Sequence, residues 1–150
     1  MAETDDLYQE LVLEHYKNPR NYGELPGANR HASGHNPLCG DKMVLGLVVD
    51  GNGVIRDVKF QGQGCAISKA SASLMTGAVK GRTVEEATRL FGRFHDLVTG
   101  RLGEKEDLSD MGKLSAMAGV KEYPARVKCA SLAWHTLNAA LHGGDAATTE

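Results

Sequence analysis

The chain has 150 residues, enough for one domain with a buried core, and 41% hydrophobic against 24% charged residues excludes a wholly disordered polymer. Lys and Arg (17) nearly balance Asp and Glu (19), and aromatics make up only 5%, so neither a basic field for nucleic acid nor a base-stacking surface is encoded. The opening MAETDDLYQE lacks the basic and apolar stretches of a signal peptide, and no apolar run reaches membrane-spanning length; a cytoplasmic protein with no membrane partner is expected.

Residues 5–17 read as a helix capped by Asp5 or Asp6, with Leu7, Tyr8, Leu11, Val12 and His15 on one face. Pro19 ends it, because the residue before proline avoids helical geometry. Residues 22–39 read as loop, with one short edge strand around 30–34. Residues 43–50 and 54–60 alternate apolar and polar positions around Asp50-Gly51-Asn52-Gly53, a strong hairpin signal. Gln61-Gly62-Gln63-Gly64 is expected to break the second strand. Residues 66–79 form a helix rich in small side chains. Thr83 and Glu86 have capping-box spacing for the next helix, which buries Val84, Ala87, Leu90 or Phe91, and Phe94. Residues 100–107 read as a polar loop. A shorter helix over 108–118 has Leu108, Met111 and Leu114 as its apolar side. Pro124 starts a last helix to about residue 141, burying Val127, Ala130, Trp134 and Leu141. The sum is one α+β domain over 1–142, with a small antiparallel sheet and helices on one side, and a disordered tail over 143–150.

Three cysteines, Cys39, Cys65 and Cys129, are odd in number and widely spaced, which does not suit a disulfide scaffold. Cys65 and Cys129 fall near helix starts, where the dipole and free N–H groups favour thiolate. Asp41 lies two residues from Cys39, and Gly40 between them lets the chain curl so both face one point. Three thiolates and a carboxylate make a closed tetrahedral set for zinc, and thiolates equally suit iron–sulfur clusters. The surplus negative charge calls for cations, and Arg126 and Lys128 flank Cys129. The competing reading is three buried free thiols, Asp41 as a turn residue and two solvated cations. Among the histidines, His31 and His35 stand close enough to Cys39 in sequence to compete as ligands. His135 falls on another helix face than Cys129, and His15, His95 and His142 read as structural or surface groups.

Four motifs then decide between these readings. Tyr16-Lys17-Asn18-Pro19-Arg20-Asn21, Asn36-Pro37-Leu38-Cys39-Gly40-Asp41, Gly62-Gln63-Gly64-Cys65-Ala66-Ile67-Ser68 and Arg126-Val127-Lys128-Cys129-Ala130-Ser131-Leu132-Ala133-Trp134 occur in that order. Over nearly its whole length the chain resembles the IscU/SufU/NifU N-terminal family of iron–sulfur cluster assembly proteins. Within it, the likeness is to SufU-type members. Lys128 stands where scaffold members carry a His. Tyr123-Pro124-Ala125-Arg126-Val127-Lys128 replaces their Leu-Pro-Pro-Val-Lys motif, and the stretch around 100–120 is longer.

The resemblance implies a three-stranded antiparallel sheet with about five helices. It implies zinc held by Cys39, Asp41, Cys65 and Cys129, with an iron–sulfur cluster as the alternative cofactor. It implies a SufS-type pyridoxal-phosphate cysteine desulfurase as partner, with downstream assembly components after it. The chain would then be a sulfurtransferase-type relay rather than a stand-alone catalyst. Cys39 accepts sulfur, a histidine of the desulfurase taking its place on the metal, and Arg126 supports by pairing with a carboxylate. The alternative is a scaffold that builds a [2Fe–2S] cluster on the same cysteines.

Overall fold

The computed structural model describes residues 2–37, 40–101, 109–142 and 146–148. Helix α1 (Ala2–Lys17) leads into strands β1 (Arg30–Asn36), β2 (Asp41–Val49) and β3 (Ile55–Gln63). Helices α2 (Ala66–Val79) and α3 (Val84–Val98), a 3-10 segment (Ser109–Glu122) and helix α4 (Pro124–Leu141) follow, and a short strand β4 (Ala146–Thr148) comes last. The sheet order is β3-β2-β1-β4.

The antiparallel three-stranded sheet and its helices match the expected fold class. The hairpin pairs Leu45 with Phe60 and Leu47 with Val58, so all four apolar side chains fall on one face and are buried. Its turn is tied by Asp50, whose Oδ1 accepts from the amides of Asn52 (2.9 Å) and Val54 (3.0 Å). Gly53 supplies the positive φ (77°) that the turn requires. Helix α4 covers β1 and β2, α2 covers β3, and α1 and α3 lie further out against α2, α4 and the 3-10 segment. Trp134 is fully buried and stacks on Phe94, ring centroids 4.7 Å apart.

Several expectations shift. Helix α1 begins three residues earlier, at Ala2, so Asp5 and Asp6 lie inside its first turns rather than ahead of them. β1 runs to Asn36. β3 does not break at Gln61: residues 61–63 pair with Val44, Met43 and Lys42. Gly62 is there because a Cβ would collide with the Lys42 carbonyl and the Met43 backbone, so the glycine marks a close approach and not a break. The helix expected over 108–118 is instead 3-10, interrupted at Gly112 (φ 53°, ψ −126°), a conformation no helix continues through. Leu114, Met117 and Val120 are buried from it, at the three-residue spacing of a 3-10 turn. Leu108 and most of the polar loop fall outside the described residues, and of the Met111 side chain nothing is described. Finally, residues 146–148, expected in a disordered tail, pair in parallel with Ser33, Gly34 and His35, using the open edge of β1.

This architecture brings three chain segments to one end of the sheet: the start of β2, the β3–α2 junction and the first turns of α4.

Candidate metal centre

Asp41, Cys65 and Cys129 meet there. One ligand atom from each lies within 4.8 Å of the others, and among the described residues they form the group that could hold a metal. Asp41 is placed by strand register, as the first residue of β2, opposite Asn36 at the end of β1. It is 1% exposed. Its Oδ1 accepts from the Cys65 amide at 2.9 Å, and its Oδ2 lies 3.6 Å from the Cys65 sulfur. Cys65 is the N-cap of α2, and its sulfur accepts from the Ser68 amide at 3.4 Å. Cys129 is buried in the second turn of α4, and Asn36 donates to its sulfur from Nδ2 at 3.7 Å.

The electrostatics favour thiolate at Cys65. Its pKa is lowered to about 7, chiefly because Cys129 hydrogen-bonds to it. The amides of Ser68 and Ile67 act in the same direction, while burial and the Asp41 carboxylate oppose. Two sulfurs and a carboxylate oxygen are a donor set that zinc accepts. Zinc bonds of ~2.3 Å to sulfur and ~2.0–2.2 Å to oxygen imply a tetrahedral edge of about 3.5 Å. The 3.6 Å between Cys65 Sγ and Asp41 Oδ2 fits that edge.

Cys39, the fourth expected ligand, lies outside the described residues, as does Leu38. The chain on either side of them is described. The Gly40 amide donates to the Asn36 carbonyl at 2.9 Å, and Gly40 takes φ 75°. His31 and His35 are exposed on β1 and do not join the metal group, since the alternation of the strand turns them away from Asn36. His15 bonds Ser73, and His135 packs against Phe91 and His95. Lys128 is exposed. Arg126 lies over the Tyr123 ring, 4.4 Å from its centre, and lines a cleft of about 690 Å³ with Tyr8, Leu13, Ile67 and both described thiols. The hydroxyl of Tyr8 is buried there, near the Arg126 guanidinium. Burial pushes its phenol pKa up, and the Arg126 guanidinium pulls the other way.

Two residues of the site had no role assigned from sequence. Asn36 is fully buried beside Cys129, and its signal was its place at the strand end three residues before Cys39. Gly64 is required because a Cβ would stand 2.8 Å from Asp41 Oδ1. Gly64→Ala is therefore expected to push the carboxylate away from Cys65 and weaken metal binding by about 10–100-fold, the usual effect of disturbing a ligand's support. Competition against a metal-sensitive dye checks this; unchanged affinity would remove Asp41 from the site.

Known proteins share this sequence pattern and fold. The family model described as "NifU-like N terminal domain" matches residues 7–141. The chain is 43% identical over 136 residues to the zinc-dependent sulfurtransferase SufU of Bacillus subtilis (strain 168), covering 91% of this chain and 90% of that protein. It is 38% identical over 141 residues to the iron–sulfur cluster assembly scaffold protein IscU of Streptococcus pyogenes serotype M1, covering 94% and 86%. A crystal structure from Fervidobacterium islandicum AW-1, described as a candidate iron–sulfur cluster assembly scaffold protein for the SUF system, superposes with a TM-score of 0.82. It is 35% identical, over 90% of this chain and 96% of that one.

Proposed function

Because the chain belongs to the NifU-like N-terminal domain family, we propose that it is a zinc-dependent sulfur acceptor. It takes persulfide sulfur from a SufS-type cysteine desulfurase and passes it toward iron–sulfur cluster assembly. The observation that carries this reading is the convergence of Asp41, Cys65 and Cys129 within 4.8 Å, with Cys39 only two residues from Asp41. The relative named a zinc-dependent sulfurtransferase supports it.

The residues divide the work by their anchorage. Cys65 is held by the start of α2 and Cys129 by α4, each with a donor on its sulfur. Asp41 is fixed by strand pairing and by the Cys65 amide. Cys39 precedes Gly40, which takes a positive φ, in the sequence between Asn36 and Asp41. It is the sulfur acceptor. A bound zinc ion would keep the thiolates deprotonated at neutral pH and shielded from oxidation. In the transfer, the Cys39 thiolate attacks the outer sulfur of the desulfurase's Cys–S–SH. A new S–S bond forms at Cys39, the desulfurase S–S bond breaks, and the desulfurase cysteine leaves as thiolate, with no net oxidation. Arg126, exposed and lining the cleft, is a supporting residue that pairs with a carboxylate, its own chain's or the partner's.

The scaffold names of other relatives favour a second reading, a [2Fe–2S] cluster built on the same cysteines. Three measurements separate the two. The sulfur-acceptor reading expects the purified protein to hold about one zinc per chain, to stimulate the desulfurase, and to remain colourless after anaerobic reconstitution with iron and sulfide. A stable coloured cluster that displaces zinc, with no stimulation, would establish the scaffold instead.

A further inference from the structure

A second cavity, of about 480 Å³, lies among α1, α2, α3 and the 3-10 segment. Its size is that of a small-molecule site, typically about 300–1,000 Å³. Its polar wall is cationic: Arg20, Arg82 and Lys113 line it, and among the described residues lining it none is acidic. Arg20 is already engaged, its guanidinium bonded to Glu14 (3.0 Å) and to the Asn18 carbonyl (2.7 Å). Among the described residues Arg82 uses only Nε, which donates to the Ala78 carbonyl at 2.7 Å, and its two terminal nitrogens have no hydrogen-bond partner there. Glu86 is near enough to feel the Arg82 charge, but its carboxylate is committed to the Thr83 amide in the cap of α3. Lys113 is exposed, with no hydrogen bond or ion pair among the described residues.

His15 supplies the buried component. It is 5% exposed, and its Nδ1 is 2.7 Å from the Ser73 hydroxyl. That hydroxyl also accepts from the Arg20 amide at 2.8 Å, and in the tautomer in which it donates its proton to Nδ1 the imidazole carries its own proton on Nε2. Nε2 has no partner among the described residues, although the ring lines the cavity. The rest of the wall is apolar: Leu74, Leu90 and Leu114, with open space above Gly77. An imidazole N–H that lines the cavity with no acceptor among the described residues, beside two cations with no acidic partner among them, asks for an oxyanion.

We propose that this cavity binds an organic phosphate, with the phosphoryl oxygens taken by Arg82, Lys113 and His15 Nε2–H and the organic part against the leucines. A guanidinium fork, an ammonium and a neutral imidazole donor suit a dianion with three oxygens better than a carboxylate with two. The thiol cluster draws on none of these residues, so the site is independent of the metal chemistry.

The test uses the metal-loaded, full-length protein and phenyl phosphate as probe. Calorimetry should show saturable binding at one site. Heteronuclear NMR should show shifts confined to the His15 imidazole and to the amides of Ser73, Gly77 and Lys113. Inorganic phosphate should bind the same site more weakly, for want of the apolar part, and benzoate more weakly than phenyl phosphate. Lys113→Gln and Arg82→Gln should each reduce affinity at least about tenfold, as loss of a charge-assisted hydrogen bond does. Both should leave metal content unchanged. Lys113 is exposed and makes no hydrogen bond or ion pair among the described residues, so its variant keeps the test clean if Arg82→Gln loosens the end of α2. Non-saturable binding, shifts scattered over the surface, benzoate binding as tightly as phenyl phosphate, or full affinity in Lys113→Gln would each overturn the proposal.

Discussion

Cys65→Ala should lose its zinc. Disturbing even an outer partner of a ligand reduces affinity about 10–100-fold, so removing a thiolate ligand should exceed that, and dialysis against a mild chelator should leave the variant essentially metal-free. Cys65 has a second role that must be separated from the first, since its sulfur caps α2 through the Ser68 amide. Loss of a cap costs about 0.5–2 kcal/mol by itself. Cys65→Ser resolves the two, because a hydroxyl is a good cap but a poor ligand for this ion. The serine variant should keep the apo-protein's melting temperature near that of the parent and still lose the metal. If Cys65→Ser binds zinc as tightly as the parent, the cluster is not a metal site. The metal-free parent carries a related pH signature. The Cys65 pKa falls from 9.0 to about 7 in the folded chain, so this group contributes stability that is fully present above pH 9.0. That contribution declines as the pH drops and is gone below about 7, and zinc uptake should release protons most strongly below that value.

The hairpin was legible because two independent signals agreed: alternation on both strands, and Asp50-Gly51-Asn52-Gly53 between them. Helix α2 was legible from its small-residue run, and α3 from Thr83 and Glu86, which form the expected capping box with both hydrogen bonds present. Gly62 was misread because a glycine that ends a strand and one that admits a neighbouring carbonyl look the same in sequence; only the Lys42 contact tells them apart. The 3-10 segment shows a related ambiguity. Leu114, Met117 and Val120 repeat every three residues, and the period separates from 3.6 only when the Gly112 interruption is known. β4 carries no alternating pattern at all, since a three-residue strand on an open edge is specified by backbone pairing. At the site, residue types left a metal cluster of Cys39, Asp41, Cys65 and Cys129 as one of two readings, and the family resemblance decided for it. The supporting positions Asn36 and Gly64 were not legible, because an amide aimed at a sulfur and a missing Cβ beside a carboxylate are facts of packing.

Cys39→Ala should abolish sulfur acceptance while leaving part of the zinc in place. The two effects separate because Asp41, Cys65 and Cys129 form three-quarters of the proposed ligand set, each held by an element that does not include residue 39. A three-ligand site binds zinc more weakly but still binds it, as open zinc sites with one exchangeable position do. The alanine variant has no sulfur at the position proposed to attack the desulfurase persulfide. Turnover of the desulfurase should therefore fall to its level without the protein, and mass spectrometry should find no added sulfur on the variant. In the parent, the same measurement should place the extra sulfur on the peptide containing Cys39 and not on those containing Cys65 or Cys129. Asn36 and Ser68 already donate to the sulfurs of the latter two, which lowers their nucleophilicity as well as their basicity. Full desulfurase stimulation by Cys39→Ala, or persulfide found on Cys65, would move the acceptor role to a helix-anchored thiol and break the division of labour proposed here.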